Sequence, residues 1–70
     1  MADIVAPVTG TVWKVETKEG DSVSEGQTLF VLESMKMEIP VEASDAGRVT
    51  KVHVKEGQPV EEGAPLATLE

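Results

Sequence analysis

The chain is one pattern written twice. Moved along by 37 positions, residues 10–33 lie without gaps on residues 47–70, GTVWKVETKEGDSVSEGQTLFVLE over GRVTKVHVKEGQPVEEGAPLATLE, with 13 of 24 positions identical. The identities are Gly10/Gly47, Val12/Val49, Lys14/Lys51, Val15/Val52, Lys18/Lys55, Glu19/Glu56, Gly20/Gly57, Val23/Val60, Glu25/Glu62, Gly26/Gly63, Leu29/Leu66, Leu32/Leu69 and Glu33/Glu70. Two similar halves in so small a body are expected to be related by a pseudo-twofold axis. The connection between the halves is the stretch Glu33-Ser34-Met35-Lys36-Met37-Glu38. Its symmetry mate falls at the two termini, so Lys36 should project from one end and Met1 and Glu70 should lie near each other at the other.

The paired glycines set the secondary structure. All six glycines of the chain match across the repeat, and at such short intervals they would interrupt any helix. No stretch of ten or more residues carries apolar residues at helical spacing. Short β-rich runs stand between turn signatures instead. Strands are expected at residues 4–5, 11–16, 22–24, 28–34, 37–41, 48–54, 59–60 and 66–69. Turns are expected at Lys18-Glu19-Gly20-Asp21, Glu25-Gly26-Gln27, Asp45-Ala46-Gly47, Lys55-Glu56-Gly57 and Glu62-Gly63. Pro7 limits the first strand and Pro40 breaks or edges the fifth, because proline cannot donate to a ladder. The consecutive Leu29, Phe30, Val31 and Leu32 imply burial on both faces or a twist that changes faces. The reading is all-β: about eight short antiparallel strands in two small sheets, packed as a flattened barrel or sandwich.

Seventy residues are read as one domain, residues 1–70, near the lower size limit for unaided folding. There is no cysteine, so no disulfide supports the fold, and the composition suits a reducing cytoplasm. No run of some twenty apolar residues suggests a membrane span, and no basic segment followed by an apolar one suggests a signal peptide. Six Lys/Arg against 13 Asp/Glu give a net charge of −7, which argues against nucleic acid, whose binding depends on clustered cations. The acidic residues are dispersed, as on a well-solvated surface.

Four of the five lysines pair across the repeat; Lys36 does not. Scaffold needs recur in both halves, so a residue without a counterpart is a candidate for function. Trp13, His53 and Arg48 also lack an identical partner. Trp13, opposite Thr50, reads as partly packed and partly a surface plate. His53, opposite Glu16, reads as solvent-facing, with no companion ligands for a metal. Phe30, opposite Ala67, reads as core. A tight hairpin turn favours Asn-Gly or Asp-Gly because its two central residues take positive φ. This one offers Met-Lys, with no Gly, Asn or Asp between Glu33 and Glu38. Such a breach of turn chemistry is expected where function overrides foldability; the alternative is a wider, unstrained loop. An exposed lysine is charged and solvated and is not a ready catalytic base. Its neighbours Met35 and Met37 are soft, adaptable contact residues. No nucleophile–base pair, phosphate loop or zinc spacing occurs, so an independent enzyme is the weakest reading.

Glu-Ser-Met-Lys-Met-Glu, centred between two such halves, resembles the Met-Lys-Met attachment motif of the biotinyl domains of biotin-dependent carboxylases. Ala6-Pro7-Val8-Thr9-Gly10 is similar to the family's opening segment. Glu19-Gly20-Asp21 and Glu25-Gly26 resemble its central turns, and Asp45-Ala46-Gly47 through Glu56-Gly57 its second half. Ser34 stands where many members carry alanine. No insertion separates Asp21 from Gly26, so the "thumb" of some acetyl-CoA carboxylase carriers is absent. The chain is most similar to small biotin/lipoyl attachment proteins or the terminal domain of a larger carboxylase or transcarboxylase.

The resemblance implies a barrel-sandwich hybrid fold and a carrier that is not itself an enzyme. Lys36 would be acylated with biotin by a biotin protein ligase using biotinyl-adenylate. Met35 and Met37 would serve ligase recognition, flanked more weakly by Ser34, Glu33 and Glu38. The partners implied are that ligase and the biotin carboxylase and carboxyltransferase components of the parent system, with the domain monomeric in isolation. Two alternatives stay open. A lipoyl domain also acylates a hairpin lysine, usually between Asp and Ala, and would carry lipoate. An unmodified structural or interaction domain, like the related modules of membrane-fusion proteins, would carry nothing.

Overall fold

The computed structural model describes residues 2–70. They form β1 (Ala2–Val5), β2 (Gly10–Val15), β3 (Ser22–Val23), β4 (Thr28–Ser34), β5 (Met37–Glu42), β6 (Gly47–Val52), β7 (Pro59–Val60) and β8 (Pro65–Leu69). No helix occurs among the described residues. The strands make two four-stranded sheets, ordered β1-β8-β6-β3 and β5-β4-β2-β7, with every pairing antiparallel.

The repeat seen in the sequence is a repeat in space. A shift of 37 residues carries β2 onto β6, β3 onto β7 and β4 onto β8, and β5 takes the place of β1. The two sheet orders are then the same order. Register agrees residue for residue: Phe30↔Val41, Val31↔Pro40 and Leu32↔Ile39 on one side, Ala67↔Ile4, Thr68↔Asp3 and Leu69↔Ala2 on the other. Even the irregularities correspond, with a shift at Val12/Lys14 in β2 and at Val49/Lys51 in β6. Turn contacts follow suit: Gly20 N–H donates to the Val49 carbonyl at 2.8 Å, and Gly57 N–H to the Val12 carbonyl at 2.7 Å.

Those last bonds run between the halves, and so do two of the strands. β3 of the first half pairs with β6 of the second, and β7 of the second pairs with β2 of the first. Neither half therefore completes its own sheet. At two residues, β3 and β7 are too short to show any period of two, which is why the exchange cannot be read from pattern alone.

The interior is one apolar cluster in which Val12, Leu29, Phe30, Leu32, Val49, Leu66 and Ala67 have no exposed surface. Burying a side chain the size of Leu or Phe stabilises by about 1.5–3 kcal/mol. The run Leu29–Leu32 resolves by a change of face. A register shift between Thr28 and Phe30 turns both Leu29 and Phe30 inward, after which Val31 points out and Leu32 in. Gly10 and Gly47 are fixed by crowding. A Cβ on Gly10 would lie 2.5 Å from the Glu33 carbonyl oxygen, and one on Gly47 2.7 Å from that of Glu70. Pro40 falls inside β5 rather than ending it, because β5 is an edge strand with β4 as its one partner, so the missing N–H faces outward. β1 begins at Ala2, earlier than the apolar Ile4 suggests, because Ala2 and Asp3 pair with Leu69 and Thr68.

Candidate attachment site

Ser34 and Met37 are the last paired residues of β4 and β5, which leaves Met35 and Lys36 as a two-residue turn. Their φ angles are 54° and 63°, the positive pair demanded when the turn must match the twist of the strands it joins. The wider, unstrained loop is thus not formed. Every other described residue with positive φ is a glycine: Gly20, Gly26, Gly57 and Gly63. A non-glycine residue held left-handed costs about 1–2 kcal/mol, so the chain accepts strain at this one turn and relieves it at four others.

The turn presents its side chains outward. Met35 is 88% exposed and Met37 58%, far from the core role methionine commonly plays. Lys36, Glu33 and Glu38 are exposed and Ser34 half-buried. Among the described residues, no hydrogen bond or ion pair engages the Lys36 side chain; the one ion pair is Arg48–Glu70, 3.9 Å, in the other sheet. The surface hollow lined by Asp3, Val5, Pro7 and Pro40 and the one lined by Ala2, Asp45 and Glu70 both exclude residues 33–38. The lysine amine therefore stands free in solvent on a stiff ladder, open to an approaching reagent and to rotation about its own side-chain bonds. The position equivalent to this turn is the Ala2/Leu69 end of β1 and β8; the expected proximity of Met1 to Glu70 lies outside the described residues.

The remaining candidates fall elsewhere. Phe30 is core. Trp13 is 45% exposed, with Lys14 Nζ 4.9 Å from its ring centroid, a plate on the surface. His53 is exposed, and its Nε2 lies 3.0 Å from Thr68 Oγ1. No group of three His, Cys, Asp or Glu suited to a metal occurs among the described residues. No helix there is long and apolar enough to cross a membrane. The pattern missed at the sequence level is the row Trp13–Val31–Pro40, whose members meet only once the register of β2, β4 and β5 is known.

Comparison with known proteins agrees with this geometry. The methylmalonyl-CoA carboxyltransferase 1.3S subunit of Propionibacterium freudenreichii subsp. shermanii is 61% identical over 36 residues, 51% of this chain and 29% of that protein. The biotin/lipoyl attachment protein of Bacillus subtilis is 53% identical over 36 residues, 51% of this chain and 49% of that one. The crystal structure of the Kluyveromyces lactis urea carboxylase superposes with a TM-score of 0.92 at 33% identity, over 99% of this chain and 6% of that one. The chain thus spans about half or less of the length of each of these three proteins. The family model described as "Biotin-requiring enzyme" matches residues 1–69, and the chain belongs to this biotin/lipoyl attachment family.

Proposed function

We propose that Lys36 is the residue on which biotin is carried, and that residues 1–70 form a single biotinyl domain serving a biotin-dependent carboxylase or transcarboxylase. The observation that carries this reading is the unpartnered, exposed Lys36 on a two-residue turn strained at both positions. An amine meant for acylation must be reachable, and after acylation it must swing; the free side chain on a rigid hairpin fits both needs. A carboxyltransferase subunit among the relatives and carboxylases among the structural neighbours support the carrier role.

In the loading step the Lys36 ε-amine, once deprotonated, attacks the acyl carbon of biotinyl-adenylate. An amide bond forms, AMP leaves with the acyl–oxygen electron pair, and the second amine proton passes to solvent or to a base of the ligase. Met35 and Met37 flank the amine and give the ligase an apolar grip, with Ser34, Glu33 and Glu38 at its margin. When bound, biotin supplies a ureido nitrogen that takes a carboxyl group at one active site and gives it up at another. The domain contributes placement. The hairpin raises the arm's effective concentration at the biotin carboxylase and carboxyltransferase sites, and the β body stays rigid. We place this chemistry in the cytoplasm, with the domain monomeric in isolation.

Incubation with biotin, ATP and a biotin protein ligase, followed by intact mass, tests the reading. The wild type is expected to gain one biotinyl group and Lys36→Arg none. A lipoyl adduct on native material, or an unmodified wild type, would overturn it.

A further inference from the structure

Because the two sheets share one plan, each outer face serves as a control for the other. On the second sheet, neighbours on β6, β8 and β1 form a polar network. Thr50 Oγ1 donates to the Thr68 carbonyl at 3.2 Å, Thr68 Oγ1 donates to Asp3 Oδ1 at 3.1 Å, and His53 Nε2 lies 3.0 Å from the same hydroxyl. At the equivalent positions of the first sheet stand Trp13, Val31 and Pro40, with Glu16 for His53. Val31 is cross-strand to Pro40 on one side and to Lys14 on the other, where Trp13 is the extra residue of the register shift. None of the three belongs to the interior cluster or packs against it. An apolar row therefore lies on the solvent side of a sheet whose twin is polar there, and the fold does not require it.

One row nearer the turn, Thr11 faces Glu33 and Glu33 faces Glu38. Directly opposed carboxylates repel. The twin sheet relieves its glutamate, Glu70, with Arg48 Nε at 3.9 Å; here Thr11 stands in the arginine's place. Among the described residues no cation lies within ion-pair distance of Glu33 or Glu38. Apolar row and uncompensated carboxylates are continuous with the attachment turn: Val31 and Pro40 are three residues from Ser34 and Met37, about 10 Å at roughly 3.3 Å per residue.

We propose that the outer face of β2, β4 and β5 is the docking surface for the ligase that acylates Lys36. An apolar ledge of that enzyme covers Trp13, Val31 and Pro40, and its Arg or Lys side chains meet Glu33 and Glu38. The proposal rests on Lys36 as the attachment residue. The occupant follows from reach. A bare lysine extends only its own side chain beyond the turn, so the enzyme acting on it must bring its surface down against the hairpin. Enzymes visited by the loaded arm are reached from farther away. Apolar contact excludes water around the carboxylates, and there a cation from the partner counts for more than at an open rim.

The test uses initial rates of biotin incorporation against carrier concentration, with biotin and ATP saturating. The variant Trp13→Thr/Val31→Thr/Pro40→Asp copies residues the twin sheet already holds. It is expected to raise KM about tenfold or more with kcat within about twofold and a near-wild-type melting curve. Glu33→Lys/Glu38→Lys, two fully surface changes, should also raise KM and guards against a folding defect in the triple variant. The mirror variant Thr50→Trp/Thr68→Val should leave KM unchanged. Unchanged KM in the first two variants, or a fall in kcat alone, would overturn the docking surface while leaving Lys36 as the attachment residue. A wild type that incorporates no biotin would overturn both.

Discussion

The two sheets of this molecule have the same strand order, the same register and the same bulges, yet only one ends in a strained turn. Where they agree, the residues answer to folding: Gly10 and Gly47 under a carbonyl, Val12 and Val49, Leu32 and Leu69 in the interior. Some differences are still matters of packing, as with Phe30 and Ala67 in the core, but at the exposed positions around the hairpin folding does not decide. Met35-Lys36 adopts positive φ without glycine, and Trp13, Val31 and Pro40 stand in place of Thr50, Thr68 and Asp3. Each half states what the scaffold needs, and subtraction at exposed positions leaves the candidates for function.

The equivalence can be broken most severely in the interior. Leu32→Ala and Leu69→Ala should each cost about 2–5 kcal/mol, measured by urea unfolding, with the two values within about 1 kcal/mol of each other. A large cost at one position and a small cost at the other would mean that the halves are not energetically matched. The next effect is at the two crowded glycines. Gly10→Ala and Gly47→Ala force a methyl group to within 2.5 and 2.7 Å of a backbone oxygen and should each destabilise by about 1–3 kcal/mol. Gly10→Ala should cost more if the shorter distance governs. The smallest effect has the opposite sign. Met35→Asn/Lys36→Gly gives the turn the residues its geometry favours and should stabilise by about 1 kcal/mol, read from the thermal midpoint, while removing the proposed attachment lysine. A destabilised variant would show that the turn is not strained.

Much of this was legible in the residues themselves. The glycine pairs Gly20/Gly57 and Gly26/Gly63 marked turns, β-branched runs marked the strands, and the unmatched Lys36 marked the proposed site. Turn chemistry also signalled strain, since Met-Lys stood where Asn-Gly was favoured, and the φ angles bear that out. What escaped was whatever depends on register between distant strands. β3 and β7 cross between halves on two residues each, too few for a pattern. The Glu33/Glu38 opposition is local to the hairpin and follows from its register, whereas Trp13 and Pro40 are 27 positions apart and meet only through β4.

The most direct measurement is peptide mass mapping of the wild type after reaction with biotin, ATP and ligase. The five lysines make an internal competition, four of them repeated across the halves and one not. The expected result is a biotinyl mass on the peptide bearing Lys36 and none on those bearing Lys14, Lys18, Lys51 or Lys55. Biotin spread over the paired lysines, or found on one of them instead, would contradict the assignment of Lys36 as the carrier residue.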